Sequence, residues 1–279
     1  MNSLIDIIEL IKIFIISLVQ GITEWLPISS TGHMILIEDV MPLNLSAEFQ
    51  ELFLVLVQLG SIMAVVVIYF NKLNPFSPSK TAGERKNTWI LWFKVAWASI
   101  PVVIIGFLLN DYMDKYFFNA TVVAIALIVY GFAFIVIERG HQARHTHVTD
   151  NLNELTYSQA FKIGLFQSLS IIPGTSRSGS TILGGLLMNS SRYVATEFSF
   201  FLGIPAMFGA SALKLIKLGM SLTTAEIIYL AFGMLVAFVV SILVIRFLLT
   251  YLKRNDFTVF GYYRIVLGGI VILYNLLIK

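Results

Sequence analysis

Hydrophobic residues run along this chain in long blocks. Six of them, at about 52–70, 89–109, 121–137, 198–217, 226–250 and 262–278, are long enough, or nearly so, to cross ~30 Å of hydrocarbon as helices. Two further apolar stretches, about 4–40 and 158–190, are interrupted near the middle by a proline and a cluster of small polar residues. The interruptions are Pro27-Ile28-Ser29-Ser30-Thr31-Gly32 and Pro173-Gly174-Thr175-Ser176-Arg177-Ser178-Gly179. Proline disfavours helix in the residue before it, so each helix is expected to stop there. Irregular backbone at membrane depth is tolerated only inside protein or beside a watery cavity. Both stretches therefore predict re-entrant helix–loop–helix hairpins. The expected fold is an all-α polytopic membrane protein, a single membrane domain over residues 1–279 with about six transmembrane helices and two hairpins.

Composition agrees with the pattern and removes other classes. Of 279 residues, 57% are hydrophobic and only 13% charged, about half the charged share of a soluble domain. The absence of cysteine excludes a disulfide scaffold, a thiolate metal site and a cysteine nucleophile. The net charge of +3 does not point to nucleic acid, because the cations lie in short loops between apolar runs. Asp6 and Glu9 stand where a signal peptide carries its basic region, and no small-x-small cleavage site follows, so no signal peptide is expected.

The same loop cations set the orientation. Lys72, Lys80, Arg85 and Lys86 cluster between the first two spans, whereas segment 38–51 has no Lys or Arg. With positive charge inside, loop 71–88 is cytoplasmic and the N-terminus is outside. Loops 138–159 and 251–261 then fall inside and loop 110–120 outside. Lys214 and Lys217, at an outer helix end, run against the rule and are expected to snorkel.

The two halves, about 1–140 and 141–279, resemble each other. A shift of 146 residues overlays Pro27 on Pro173, Ser30 on Ser176 and Glu51 on Glu197. Each half is then one hairpin plus three spans. Three is odd, so the second half is expected upside down relative to the first, with the hairpin tips meeting near the midplane as an inverted repeat.

Candidate chemistry concentrates at those tips. Gln20 and Glu24 are spaced i, i+4 and share a helix face. A carboxylate in a membrane segment is expensive and by default marks a functional site. Beside it stand Ser29, Ser30, Thr31, Gly32 and His33, and His33 suits proton transfer or nucleophilic attack near neutral pH. His141, His145 and His147 fall together in a polar loop and read as a solvated segment rather than a metal site. Arg177, flanked by Gly174, Thr175, Ser176, Ser178 and Gly179, offers a permanently charged fork of donors for phosphate. The small residues around it let backbone N–H groups approach an anion. A structural Arg177–Glu24 ion pair across the hairpins is the plainer reading of the same two charges.

The strings QGITEWLPISSTGH (20–33) and PGTSRSG (173–179) resemble the two signature regions of the undecaprenyl-diphosphate phosphatases, membrane enzymes linked to bacitracin resistance. The first matches that family's (E/Q)xxxE element through Gln20 and Glu24, followed by the serine-rich stretch with His33; Gln20 supplies no carboxylate at its position. The resemblance covers the whole chain. It implies hydrolysis of undecaprenyl diphosphate to the monophosphate and inorganic phosphate, recycling the lipid carrier of envelope polymers. It further implies a divalent cation, Mg²⁺ or Ca²⁺, and an active site on the extracytoplasmic face of the bacterial cell membrane.

On that reading the diphosphate lies between the tips, held by Arg177 with Gln20, Ser29, Thr31, Gly174, Thr175, Ser176 and Ser178, while the prenyl tail lies in lipid. Ser30 is the first choice of nucleophile, with His33 or Glu24 taking its proton. Direct attack by His33 is the second choice, and Glu24 is equally suited to hold a metal ion. A transporter or flippase of a lipid phosphate or another anion is the alternative, since broken hairpins at the midplane suit that class too. Lipid-facing and partner-facing apolar surfaces look alike in sequence, which leaves room for a homo-oligomer.

Overall fold

The computed structural model describes residues 5–143, 148–218 and 222–278. Among these the chain forms helices α1 (Ile7–Thr23), α2 (Ser30–Val40), α3 (Ala47–Ile68), α4 (Phe70–Leu73), α5 (Ala82–Tyr116) and α6 (Ala120–Gln142) in its first half. The second half contributes α7 (Tyr157–Ser168), α8 (Arg177–Leu187), α9 (Arg192–Leu218), α10 (Thr224–Tyr251) and α11 (Thr258–Ile278). No strand forms among the described residues beyond an isolated bridge between Thr149 and Ser190. Six helices are long and apolar enough to cross a membrane: α3, α5, α6, α9, α10 and α11. Five of the six expected spans lie within them, and the sixth, 52–70, runs two residues past the end of α3 to the start of α4.

The helices run longer than the apolar runs that predict them, because hydropathy marks only the lipid-embedded part. Helix α5 starts before its first apolar run, where Thr81 accepts from the Glu84 N–H and the Glu84 carboxylate accepts from the Thr81 N–H. Such a reciprocal cap satisfies two orphan donors and sets the helix start wherever it falls relative to the bilayer. Pro101 sits inside α5 without ending it.

The two interrupted stretches break where proline predicts. Helix α1 gives way after Thr23, and α2 begins after Ser29, whose φ is +72°. Helix α7 passes through a tight turn at Leu169–Ile171, and α8 begins after Ser176, whose φ is +71°. In each case the serine hydroxyl accepts from the N–H three residues on: Gly32 at 3.3 Å and Gly179 at 3.1 Å. The caps thus equate Ser29 with Ser176, not Ser30 with Ser176 as the 146-residue shift had it. The reason is one extra residue after the second proline, where Gly174 takes a φ of +94°.

Glycines let the helices close on one another. A Cβ on Gly164 of α7 would lie 2.0 Å from the Ala98 carbonyl oxygen of α5, and one on Gly60 of α3 would lie 2.5 Å from the Met234 oxygen of α10. Small residues at such crossings are how membrane helices gain dispersion contact without a hydrophobic drive between them. Helix α1 packs on α10 while α7 packs on α5, α3 packs on α9, and α6 packs on α11. Ion pairs follow the same reciprocal plan. Lys72, just past α3, reaches Glu197 near the start of α9 at 2.7 Å, and Lys214, near the end of α9, reaches Glu51 near the start of α3 at 2.5 Å. Lys214 is therefore paired rather than simply snorkelling. His145 and His147 lie outside the described residues; His141 stands in the last turn of α6.

Candidate active site

The breaks bring the ends of four helices to one place. Glu24 caps the end of α1, and its backbone carbonyl accepts from the Ser178 hydroxyl in the first turn of α8 at 3.0 Å. Its carboxylate is 7% exposed and fully engaged. Oε1 accepts from Arg177 Nη2 at 3.0 Å, and Oε2 accepts from Gln20 Nε2 at 2.9 Å and from the Ser30 hydroxyl at 3.4 Å. The i, i+4 pair read from sequence is thus a direct hydrogen bond.

Arg177 is held as firmly. Nη1 donates to the Ser199 carbonyl of α9 at 2.8 Å, the guanidinium lies 5.8 Å from the Trp25 ring centre, and a Cβ on Gly203 would come within 3.0 Å of its Cζ. Two of its five N–H groups have partners, the Nε–H is buried without one, and each terminal nitrogen keeps a second N–H. Burying such a pair is no efficient way to gain stability, since desolvating two charges offsets most of their attraction. A buried Arg–Glu pair therefore argues for a functional role.

Glu24, Ser30, Thr31, Gly174, Ser176 and Arg177 line a cavity of about 270 Å³. The remaining wall comes from Ser170 and Ile172 and, across the space, from Gln58 of α3 and Ala206, Met207 and Ala210 of α9. Ser30, Thr31 and Arg177 belong to the first turns of α2 and α8, so two helix N-termini open onto one cavity. First-turn N–H groups have no partner within their helix, and they favour an anion together with the helix dipole. A positive φ in a residue other than glycine costs about 1–3 kcal/mol and collects at functional sites. Ser29 and Ser176 both carry that strain, and it aims both helix starts at the cavity.

The other expected site residues lie behind this wall. Gln20 is buried and orients Glu24. Ser29 serves as a cap, and the Thr175 hydroxyl donates to the Leu169 and Ile172 carbonyls, shaping the second loop. His33 is not in the cavity wall. Its Nδ1 lies 2.7 Å from the Ser29 carbonyl, so that nitrogen carries a proton, and Nε2 lies 2.7 Å from the Tyr263 hydroxyl, with the rings stacked at 5.7 Å.

Two residues that motif spacing passes over complete the arrangement. Arg264 of α11 is fully buried, and its fork donates to the carbonyls of Pro27, Gly174 and Thr175 at 3.1, 2.8 and 3.0 Å. It clamps both broken loops together from behind. The sequence signal is its place as the lone charged residue of α11, which by the rule that singles out Glu24 marks a site. Gln58 gives a weaker signal, an amide within an apolar run.

Glu24 is the one carboxylate in this wall, and no cluster of three His, Cys, Asp or Glu side chains occurs among the described residues. Magnesium sites commonly use one or two carboxylates and take their other oxygens from phosphate and water. Glu24 fits an ion of that kind, one that takes its remaining oxygens from substrate and water, whereas Gln20 lies behind the wall and only orients Glu24. A second cavity, of about 350 Å³, is lined by Arg192, Lys253, Arg254 and Asp256 among others. It is the larger of the two, but it joins no carboxylate to a serine or threonine hydroxyl.

The family described as "Bacitracin resistance protein BacA" matches residues 13–270. The chain belongs to that family. It is 57% identical over 266 residues to a protein of Enterococcus faecalis named "Undecaprenyl-diphosphatase", with 94% of this chain and 96% of that protein covered. A protein of the same name from Lactiplantibacillus plantarum is 56% identical, covering 97% of this chain and 99% of the relative. "Undecaprenyl-diphosphatase 1" of Clostridioides difficile is 54% identical, with 98% of each covered. The matched region takes in both broken loops, the whole cavity wall and Arg264. With six apolar helices, the chain is a multi-pass bacterial membrane protein of the BacA family.

Proposed function

We propose that this chain hydrolyses undecaprenyl diphosphate to undecaprenyl phosphate and inorganic phosphate, and so contributes to lipid-carrier recycling and bacitracin resistance. The observation that carries the proposal is the Glu24–Arg177–Ser30 contact at the meeting of two helix N-termini. Arg177 and the first-turn N–H groups of α2 and α8 hold the terminal phosphoryl group and neutralise its equatorial oxygens. That is most of what phosphoryl transfer asks of a protein. Ser30 gives its proton to Glu24 as its Oγ bonds to the terminal phosphorus, and the bond to the bridging oxygen breaks to release undecaprenyl phosphate. Glu24 passes that proton to solvent, then takes one from the water that attacks the phosphoserine and returns it to Ser30 Oγ as the P–O bond breaks and inorganic phosphate leaves. The 3.4 Å contact to Glu24 favours that carboxylate over His33 as the acceptor, because both His33 nitrogens are engaged with Ser29 and Tyr263. Glu24 would hold a divalent cation, Mg²⁺ or Ca²⁺, which would offset part of the negative charge of the diphosphate.

The architecture that supports this reading is a pair of inverted repeats, about 1–140 and 141–279, whose re-entrant hairpins meet at the cavity. The reciprocal packing of α1 on α10 and α7 on α5 supports it, as do the paired Lys72–Glu197 and Lys214–Glu51 contacts. The cavity faces the extracytoplasmic side.

The decisive assay is phosphate release from undecaprenyl diphosphate by the purified protein in detergent. Release should stop with chelator and return with Mg²⁺ or Ca²⁺; no release in the presence of metal would refute the activity. Topology has its own test, made simple by the absence of native cysteine. A cysteine placed at Asn44 should be labelled in intact cells by an impermeant reagent, and one at Ser79 only after the membrane is opened. Labelling in the reverse order would put the cavity on the cytoplasmic side.

A further inference from the structure

The charges lining the cavity do not match its proposed ligand. Glu24 and Arg177 are its only ionised wall residues, and they cancel. A diphosphate monoester brings roughly two to three negative charges near neutral pH. A metal ion carried with the substrate would offset part of that. The wall's side-chain charges leave no net positive surplus, so a cation just outside the wall would add to what the helix N-termini and Arg177 offer the anion.

Lys214 is placed to supply it. On α9 it lies about one turn beyond Ala210, and on α3 its partner Glu51 lies about two turns before Gln58. Ala210 and Gln58 both line the cavity, so the Lys214–Glu51 pair spans the same α3–α9 seam onto which the cavity opens. Ala210, between Lys214 and the rest of the α9 wall along the helix, is exposed and small.

The two reciprocal ion pairs differ in a way that bears on use. At the far end of the seam, the Glu197 carboxylate that holds Lys72 is 2% exposed, whereas the Glu51 carboxylate that holds Lys214 is 62% exposed. A carboxylate exposed to that degree, near the start of its helix, holds its partner weakly where water and salt reach it. The flexible stem of lysine lets the ammonium swing between partners without moving the helix.

We infer that Lys214 is a substrate-capturing residue: it leaves Glu51 to meet the diphosphate at the mouth of the cavity and passes it down the α3–α9 seam to Arg177. This rests on the hydrolase reading and extends it to how the anionic headgroup is admitted. Glu51 is then a resting counter-ion that competes with substrate.

A merely structural ion pair predicts that breaking it from either side has the same effect, and capture predicts opposite effects. In the detergent assay with undecaprenyl diphosphate, Lys214→Ala should raise KM about tenfold with a much smaller change in kcat. It should also flatten the decline of kcat/KM with added salt. Glu51→Gln should give a KM no higher than the wild type, and Lys214→Arg should stay close to it. Thermal unfolding in detergent checks that the variants fold, and Lys214→Gln, which keeps most of the stem, replaces the alanine variant if that one does not. An unchanged KM in the lysine variant, or a KM raised in both the lysine and the glutamate variants, would overturn the inference. Failure of the wild type to release phosphate would instead refute the hydrolase reading.

Discussion

Arg177→Lys should lower kcat/KM by a hundredfold or more while the protein still folds in detergent. Removing one preorganised donor from a charge-stabilising site typically lowers rate by about 10²–10³-fold. Lysine loses more than one, because the guanidinium contacts Glu24 and the Ser199 carbonyl through separate nitrogens and still has N–H groups for phosphate. A single ammonium cannot hold the Ser199 carbonyl, pair with Glu24 and grip two phosphate oxygens at once. Arg177→Ala should be worse, because it also leaves the Glu24 carboxylate buried without its cation. Phosphate release on undecaprenyl diphosphate, beside a thermal unfolding curve, is the measurement. Near-normal turnover in the lysine variant would mean that net charge alone matters at this position.

Arg264→Met should be nearly as damaging by another route. The substitution leaves the Pro27, Gly174 and Thr175 carbonyls without their donor in the buried centre of the molecule. An unsatisfied buried acceptor costs about 1–3 kcal/mol, while deleting the buried guanidinium removes its own desolvation penalty. The net expectation is a moderate drop in thermal stability together with a large drop in kcat, as the two loops no longer hold Ser30 and Arg177 at a fixed separation. Arg264→Lys keeps some donors and should recover part of kcat, a result that a purely structural role would not require. A methionine variant that folds and turns over normally would show that the loops are positioned without Arg264.

Much of this protein follows from local chemistry. The apolar runs specify six spans because a helix in lipid must satisfy its own backbone groups, whatever its neighbours. Pro27 and Pro173 specify the breaks because the ring constrains the residue before it. Glu24 and Arg177 could be matched across 153 residues because each is too costly at membrane depth to stand alone.

Tertiary packing decided the rest. That His33 turns to Tyr263, 230 residues away, and not into the cavity depends on where α11 lies. The serine that corresponds to Ser176 is Ser29, because Gly174 lengthens the second loop by one residue that no periodicity reveals. Gln58 and Ala210 share a wall, and Lys214 meets Glu51, only because α3 and α9 lie against each other. Arg264 acts on carbonyls that every residue possesses, so nothing in the identity of its partners announces them. Residue order alone fixes which six segments are apolar enough to span, where two other helices break and which charges have to find partners, since these depend on each residue's own chemistry. Which side chains face one cavity was decided by close helix contacts at positions such as Gly60 and Gly164, a property of the packed whole.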